Sequence, residues 1–452
     1  MEMQRSFFYS CSVRIIALWL HGVILAMSVH GNGAENSAVK FTLPSNWVRP
    51  HLFGQFSATN LDAGTDQHVL LMEQQINAVS NETFIHSIRQ ILTTDGVQKG
   101  ANITIDFNPG YESLTLHWAR IWRDGQHLDR LDTNQVKVVQ PEQELNQFIL
   151  NGQKTAILVL DDVRVGDIID YSYSIKGANP IFGGHFFATV PVQLEQPAER
   201  LLTRLLWPKD RTLYVKTHGC SVQPATIMET NAIEYMWDLR QMPGLAIEDS
   251  LPGWYDPQAW VQLTDFRSWA EVNRWALSLF QAGSPFSPDL SWQIAKWKKI
   301  PDQEQQILSA LRFVQDQVRY FGIEIGNSAE KPADPSMVFS RRYGDCKDKS
   351  WLFVRILRAL GIESYPVLVN TTLRHALDGW RPSGGAFDHC IAVVKHNGQA
   401  YWLDPTMSYQ RGPLAAHYLP AYERGLTISP RTTGLTVIPQ SANLCMRLTV
   451  HV

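Results

Sequence analysis

The chain has 452 residues, a length typical of two or three domains of about 150 residues each. Its hydrophobic content of 44% and charged content of 18% are those of globular domains with ordinary cores. The formal net charge of −3 gives no general reason to expect that the protein binds nucleic acid or an anionic membrane.

The first 31 residues have the order of a secretory signal peptide. Arg5 and Arg14 precede an apolar run over residues 15–26, and small residues follow it. We therefore predict a signal peptide over residues 1–31 and a periplasmic or extracellular protein. An uncleaved membrane anchor is the alternative, but the run is short for a membrane span and His21 interrupts it. No later stretch is apolar over the ~18 residues that a further span would need.

The cysteines do not indicate a disulfide or metal framework. Five cysteines are too few for a disulfide scaffold, and Cys11 lies within the predicted signal peptide. No cluster of cysteine and histidine has the spacing of a zinc site. We expect no metal and no other cofactor.

Residues 36–240 contain many short runs in which apolar and polar residues alternate, separated by turn residues. This pattern predicts a β-rich N-terminal domain of the β-sandwich type. The clearest run covers residues 113–122, and Asp124-Gly125 follows it as a hairpin turn. Further strands are predicted at residues 69–72, 103–107, 156–160, 165–174, 186–190, 200–207, 212–215 and 232–237.

The composition changes after residue 240. Residues 241–262 are rich in proline and acidic groups, which predicts a linker. Helical spacing then predicts a helix over residues 266–280 and a second helix that Pro301 opens at its first position. Residues 263–425 are predicted to form an α+β core with an antiparallel sheet. Residues 426–452 are predicted to be the start of a further β segment.

A third helix of the core carries a candidate nucleophile. Gly344 and Asp345 predict a turn and a helix N-cap, and Gly361 predicts the end of the helix. Cys346 then lies in the first turn, where unpaired backbone N–H groups and the positive end of the helix dipole are found. We expect this position to lower the pKa of the thiol and to supply an oxyanion donor.

A predicted hairpin brings a histidine and a carboxylate together. Asn397-Gly398, between two apolar runs, is a strong hairpin signal. The register that this turn sets places Asp404 diagonal to His389 on the same face of the sheet. Cys346, His389 and Asp404, in that order, are the parts of a Cys-His-Asp acyl-transfer site.

The residues themselves leave alternatives for each role. Cys346 could be an inert core thiol. Asp388 is the second candidate carboxylate, although it alternates to the opposite face from His389. His375 and His396 are further candidate bases on loops.

Three segments carry a family resemblance. Gly344–Asp348, Phe387–His389 and Tyr401–Pro405 resemble the transglutaminase-like (papain-like) cysteine superfamily, in its bacterial branch, over roughly residues 262–415. The resemblance implies Cys346 as nucleophile, His389 as general base and Asp404 as the group that orients the imidazole. It implies no particular substrate, because the superfamily contains cross-linking transferases, amidases, proteases and inactive scaffolds.

The N-terminal domain carries a second resemblance. The segments at residues 165–173 and 179–182, and the strand before Pro197, resemble a domain of unknown function over roughly residues 60–230. That domain commonly precedes transglutaminase-like cores in secreted bacterial proteins. It implies no catalytic residues.

Candidate substrate contacts lie on both sides of the predicted site. Residues 371–386 have the composition of an exposed loop and lead into the strand that carries His389, so Arg374 and Trp380 are candidates. Tyr320 is a candidate for a second oxyanion donor.

These patterns predict an exported cysteine enzyme. It would transfer or hydrolyse acyl groups of a protein, peptide or amide substrate through Cys346, His389 and Asp404. The alternative is a non-catalytic envelope protein that uses the same fold for binding or as a scaffold. The sequence indicates no nucleic-acid partner and no particular oligomeric state.

Overall fold

The structure of the chain is a computed structural model that describes residues 39–51, 65–248, 250–281, 283 and 285–440. The predicted signal peptide and residues 441–452 lie outside the described residues. Within the described ranges, no helix is both long enough and apolar enough to cross a membrane.

The N-terminal half consists mainly of strands, as the alternation predicts. Its elements are β1 (Val39–Phe41), β2 (Gln67–Asn77), β3 (Glu82–Ile91), α1 (Thr94–Gly100), β4 (Asn102–Phe107), β5 (Ser113–Arg123), β6 (Gln126–Asp129), β7 (Lys137–Val139), β8 (Ile149–Leu150), β9 (Lys154–Val159), β10 (Ile168–Lys176), β11 (Phe187–Pro191), β12 (Ala198–Pro208), β13 (Tyr214–His218), β14 (Ala225–Met228) and β15 (Ala232–Met242).

Nine of the described strands form one mixed sheet in the order β1-β5-β10-β3-β2-β12-β15-β14, with β6 paired to β5. A three-stranded sheet, β4-β9-β7, packs against it through an apolar cluster that includes Ile105, Phe107 and Leu114. The sequence does not predict β3, because the buried polar residues Glu82 and His86 interrupt its apolar face.

The C-terminal half mixes helices and strands. Its elements are β16 (Trp260–Thr264), α2 (Trp269–Leu279), α3 (Pro288–Lys298), α4 (Gln303–Gln317), β17 (Arg319–Tyr320), β18 (Gly322–Ile323), α5 (Pro335–Arg341), β19 (Tyr343–Gly344), α6 (Cys346–Ala359), β20 (Ser364–Val369), β21 (His389–His396), β22 (Gln399–Leu403), β23 (Arg424–Thr427) and β24 (Thr436–Val437).

The core is built on a five-stranded sheet with the order β22-β21-β20-β23-β24. Its strands are antiparallel to their neighbours, and α6 packs on β20 and β21. The helix buries Leu352, Phe353 and Ile356 completely in the shared apolar cluster. The described part of the predicted C-terminal β segment completes this sheet instead of starting a new one, because β23 pairs with β20 and β24 with β23.

Two boundaries differ from the sequence prediction. The predicted linker ends inside β16, which pairs with β11 and β13 because Val261 and Leu263 are fully buried between N-terminal residues. Pro301 does not open α4. Asp302 caps that helix instead, since its side chain accepts a hydrogen bond from Glu304 N at 3.0 Å.

The N-terminal half and the core share apolar contacts. Phe182, which follows β10, belongs to the same buried cluster as the core helices and stacks on Trp275 with ring centroids 5.4 Å apart. The indole of Trp275 donates to the carbonyl of Ile181 at 2.9 Å. The two halves are therefore joined by packing as well as by the chain.

A buried charged network ties β2, β3 and β10 together. His86 lies between two carboxylates, with Nδ1 at 3.2 Å from Glu73 Oε2 and Nε2 at 2.9 Å from Asp170 Oδ1. Burial would raise the pKa of Glu73, but hydrogen bonds to His51 and His86 outweigh burial and lower it to about 2. Burial would lower the pKa of His86, but Asp170 and Glu73 raise it. Ionised carboxylates thus face a protonated imidazole inside the sheet.

We expect Glu73→Gln to destabilise the protein most between about pH 4.5 and 6.5. Glu73 stabilises the fold above its ordinary pKa of 4.5, and this contribution is lost as the pH falls towards about 2. His86 stabilises it below its ordinary pKa of 6.5, and this contribution is lost as the pH rises through the raised folded value. Removing one partner of a buried ion pair costs roughly 3 kcal/mol.

Urea unfolding followed from pH 3 to pH 9 measures this difference. Glu229→Gln is the matched control, since Glu229 pairs with Arg49, whose side chain is 61% exposed, and should cost well under 1 kcal/mol. A Glu73→Gln deficit that did not change with pH would contradict the assignment of charges.

Candidate active site

Cys346 is the first residue of α6, as the sequence predicts. The side chain of Asp345 caps the helix by accepting a hydrogen bond from Asp348 N at 3.1 Å. Gly344 is required before the cap, because a Cβ atom there would lie 2.6 Å from the Cβ of Asp348. The Gly-Asp-Cys sequence therefore places the thiol at the N-terminal end of the helix.

The expected low thiol pKa is wrong for this structure. Cys346 is only 7% exposed, and burial raises the pKa of its thiol to about 11. A hydrogen bond to His389 acts in the opposite direction. The sequence prediction considered only the helix end, whereas the cost of removing a thiolate from water dominates in a buried position.

His389 begins β21, and Asp404 directly follows β22. The hairpin has the register that Asn397-Gly398 predicts, with Ala392 opposite Leu403. His389 Nε2 lies 2.9 Å from Asp404 Oδ2. The structure therefore brings the predicted histidine and carboxylate into contact.

His389 also contacts Cys346, so the three predicted residues form one chain of contacts. Asp404 engages Nε2 of the imidazole, so Nδ1 is the ring nitrogen that remains for an interaction with the thiol. Burial would lower the pKa of His389, but the Asp404 carboxylate and Cys346 raise it well above its usual range. The imidazole is therefore a strong enough base to bind a proton that leaves the thiol.

The Asp404 carboxylate is held by residues that the sequence analysis did not identify. Oδ1 accepts from the backbone N of Thr406 at 2.8 Å and from its hydroxyl at 2.7 Å. Oδ2 accepts from the hydroxyl of Tyr422 at 2.9 Å in addition to His389. Burial would raise the pKa of Asp404, but His389 and Thr406 lower it. The carboxylate stays ionised although it is only 2% exposed.

Only part of this support could have been found from the sequence. Thr406 stands two residues after Asp404, the spacing at which an aspartate accepts from its own following backbone, so the local pattern contains that signal. Gln315 in α4 donates to the carbonyl of Asp404 at 3.0 Å, and Tyr422 comes from a loop after the hairpin. Neither of these two has a local signature.

The alternative residues are engaged elsewhere. Asp388 accepts from the backbone N and the hydroxyl of Thr371, both at 2.7 Å. His375 lies 2.7 Å from Glu423, and its side chain is 47% exposed. His396 lies at the far end of β21, where its ring contacts Gln303 at 2.8 Å.

A second buried charge network lies behind the thiol. Lys347 Nζ donates to Asp345 Oδ2 at 2.5 Å and to Glu324 Oε1 at 3.3 Å. Burial raises the pKa of Glu324 to about 8 despite the contact with Lys347. Because Asp345 also caps α6, this network holds the residue before the nucleophile in place.

The candidate substrate contacts occupy different positions. Tyr320 ends β17, which pairs with β19 just before the nucleophile, and it interacts electrostatically with Cys346. Arg374 begins a short 3-10 helix and has a positive φ of 50°. Trp380 packs edge-on against Trp260, with ring centroids 5.1 Å apart. Of the three, only Tyr320 lies on a strand that pairs with the segment directly before Cys346.

In the part of the chain that the structure describes, no group of three or more histidine, cysteine, aspartate or glutamate side chains is arranged to hold a metal ion.

Residues 78–246 match a domain of unknown function for which structures have been solved, DUF3857. This match overlaps the stretch in which the sequence predicts such a domain. No curated protein matches the chain. Among solved structures, the chain is similar to a candidate protease from Parabacteroides distasonis, with 15% identity, a TM-score of 0.66, and coverage of 84% of this chain and 72% of that chain. This likeness shows a shared mixed α+β fold.

Two further structures match with low scores. One is a candidate cysteine protease from Cytophaga hutchinsonii, with 12% identity, coverage of 49% of this chain and 78% of that chain, and a TM-score of 0.23. The other is the periplasmic domain of TgpA from Pseudomonas aeruginosa, with 15% identity, coverage of 48% and 72%, and a TM-score of 0.21.

We expect alkylation of Cys346 by iodoacetamide to slow in His389→Asn. The contact with His389 opposes the effect of burial on the thiol pKa, so its removal moves that pKa upward and lowers the thiolate fraction near pH 8. A rise of one pKa unit slows alkylation about tenfold. Mass spectrometry of the alkylated peptides at a series of pH values from 7 to 10, all below the thiol pKa, gives the alkylation rate of each protein at each pH.

Cys220, which is only half-buried, is an internal control whose alkylation should not change. Faster alkylation of Cys346 in His389→Asn than in the wild type at the same pH would contradict the contact between the thiol and the imidazole.

Proposed function

We propose that this chain is an exported cysteine enzyme of the transglutaminase-like type, which attacks peptide or amide bonds through Cys346. The observation that carries the proposal is the chain of contacts from the thiol through His389 to the buried Asp404 carboxylate. These groups have the order that nucleophilic acyl transfer requires. The signal-peptide pattern of residues 1–31 supports export.

In the first step, the sulfur of Cys346 attacks the carbonyl carbon of the amide. His389 takes the thiol proton and passes it to the leaving nitrogen, so that a free amine departs and a thioester remains. In the second step, water or an amine attacks the thioester carbon and His389 takes its proton. The carbon–sulfur bond then breaks, the acyl group leaves as an acid or a new amide, and His389 returns the proton to the sulfur. Asp404 holds the imidazole through Nε2 and stabilises its charged form.

The negative oxygen that forms during each attack requires donors. The backbone N–H of Cys346 is one donor, because the first residues of a helix have no partner within the helix. We assign the second to the hydroxyl of Tyr320. Burial strongly raises the pKa of this phenol, so it keeps the proton that it would donate.

The test of the triad compares Cys346→Ala, His389→Ala and Asp404→Ala in a peptide and amide substrate-profiling assay. Residues that act as one unit give losses that do not multiply, so the double variant of Cys346 and His389 should be no slower than Cys346→Ala. Single losses of about 10³-fold or more in kcat/KM are expected for Cys346 and His389. Circular dichroism of each variant shows that the fold is kept.

Full turnover by Cys346→Ala would contradict the mechanism. Multiplied losses in the double variant would also contradict it, since they would mean that the thiol and the imidazole act independently.

We expect Tyr320→Phe to lower kcat about 10²-fold, the loss typical of one oxyanion donor. Iodoacetamide alkylation of Cys346 should stay unchanged, because that reaction forms no oxyanion. Tyr343→Phe is the matched control, since Tyr343 lies in the strand paired with that of Tyr320. Equal losses in the two variants would exclude a specific role for the Tyr320 hydroxyl.

One observation favours the non-catalytic alternative. A thiol that is 7% exposed and has a pKa raised to about 11 is a poor nucleophile until the substrate or His389 draws its proton away. Alkylation of Cys346 near neutral pH no faster than that of a model thiol, together with no turnover in the profiling assay, would favour a binding or scaffold protein.

A further inference from the structure

We propose that a groove between the two halves of the chain binds a sugar ring carried by the substrate. The groove has a volume of about 180 Å³. One side comes from His218 of β13, Trp254 of the segment before β16 and Trp260, the first residue of β16. The other side comes from the loop after β20, with Leu373 and Trp380. A cavity of about 150 Å³ holds one six-membered carbon ring, so this groove is large enough for one substituted ring.

The walls of the groove are aromatic and held in place by each other. His218 stacks on Trp260 with ring centroids 4.0 Å apart and an interplanar angle of 7°. Trp380 meets Trp260 edge-on at 5.1 Å. The indole of Trp260 is fixed further by its N–H, which donates to Asp256 Oδ2 at 2.8 Å. Flat faces of this kind pack against the C–H face of a pyranose as they pack against other apolar surfaces.

The hydrogen bonds of Gln262 settle which nitrogen of His218 carries the proton. Gln262 Nε2 donates to the carbonyl of Arg381 at 3.1 Å, and Gln262 Oε1 accepts from Arg381 N at 2.8 Å. The amide orientation is thus set, and His218 Nε2, at 3.2 Å from Oε1, must be the donor. Burial lowers the pKa of His218, so the ring is neutral near pH 7 and Nδ1 is an acceptor.

The other polar groups of the groove offer both kinds of partner. The carboxylate oxygens of Asp256 accept from Gln258 N at 3.0 Å and from the Trp260 indole at 2.8 Å, and each has a further lone pair. Gln258 keeps its carbonyl oxygen after one of its N–H groups has donated to Gln193 O at 2.7 Å. Among the described residues, the indole N–H groups of Trp254 and Trp380 have no hydrogen-bond partner. The groove therefore combines several acceptors with donors along apolar walls.

This combination selects among ligand classes. A phenyl or alkyl side chain would cover the acceptors without satisfying them, which costs free energy. An alkylammonium group donates only, so it would leave the indole N–H groups unused. Each hydroxyl of a sugar both donates and accepts, and its ring has an apolar face. A pyranose therefore fits both the aromatic walls and the hydrogen-bonding groups of the groove.

The groove is connected to the candidate site through a short chain of contacts. Leu373, which lines it, donates from its backbone N to Asn370 Oδ1 at 2.6 Å. The next residue after Asn370 is Thr371, which binds the side chain of Asp388, the neighbour of His389. The loop that lines the groove is thus attached to Asp388, the residue directly before His389. If the proposed function holds, its substrate is a peptide or amide that carries a sugar.

The experiment measures binding of sugars to full-length Cys346→Ala, so that no turnover interferes. The probes are glucose, galactose, N-acetylglucosamine and the β1,4-linked disaccharides of glucose and N-acetylglucosamine. Saturation-transfer NMR and tryptophan fluorescence measure their binding. Saturable binding of at least one probe is expected, with a Kd of roughly 1 mM for a ligand of about 12 heavy atoms.

Three variants locate the site. Trp380→Ala and Asp256→Asn should each weaken binding about tenfold or more, by loss of one wall and of one charged acceptor. Trp292→Ala is the matched control, because this indole is 60% exposed on α3 and lies outside the groove, so binding should be unchanged. Thermal unfolding of each variant shows whether the fold is kept.

Absence of saturable binding for every sugar up to about 50 mM would overturn the proposal, as would equal losses in Trp292→Ala and Trp380→Ala. N-acetylphenylalanine amide and n-butylammonium are the competing probes. If either one binds, if Trp380→Ala weakens that binding, and if no sugar binds, the groove is a site for a peptide side chain.

The experiment also separates failure of this proposal from failure of the proposed function. Sugar binding without any amide turnover would overturn the proposed enzymatic function and support the sugar site. Cleavage of peptides without a sugar, together with no sugar binding, would overturn the sugar site alone.

Discussion

The buried carboxylate of Asp404 is the constraint on which the arrangement of the core depends. An ionised group in this position has to be surrounded by donors, because an unpaired buried charge costs several kcal/mol. Its donors are His389 at the start of β21, Thr406 just after the hairpin and Tyr422 from the loop before β23, while Gln315 of α4 holds its carbonyl. Sheet, loop and helix are thereby held at one point, and the imidazole receives a single orientation towards α6.

The N-terminal half contributes to the surroundings of this point. Pairing of β16 with the N-terminal strands β11 and β13 places the side-chain amide of Gln262 beside Arg381, where its nitrogen and its oxygen both bind the Arg381 backbone. The hydroxyl of Thr264 donates to the carbonyl of Pro382 at 3.0 Å. The loop between β20 and β21 is therefore attached to the N-terminal sheet. Phe182 adds apolar contact between the halves. The loop that borders the candidate site is therefore held by residues from both halves.

Much of the local structure could be predicted because its causes are local. The Asn397-Gly398 turn determines the register of its own hairpin, since two residues with φ of 49° and 74° close it without any other contact. Asp345 caps its own helix. The contributions of Gln315 and Tyr422 could not be predicted, because these residues approach Asp404 from segments that no spacing rule relates to it. Strand β3 is hidden for a similar reason, since its inward polar side chain His86 finds partners on β2 and β10.

The sequence by itself determined the α+β class of the core, the β-rich N-terminal half, and the positions of Cys346, His389 and Asp404 on a helix start and one hairpin. Short-range hydrogen bonding and side-chain alternation are enough for these features. Only the tertiary structure decided how deeply the thiol is buried, so only it reversed the expected direction of the thiol pKa to a value of about 11. It also decided that Trp254, Trp260 and Trp380 line one groove. Burial and contacts between distant segments depend on how the whole chain packs, and no local pattern contains that information.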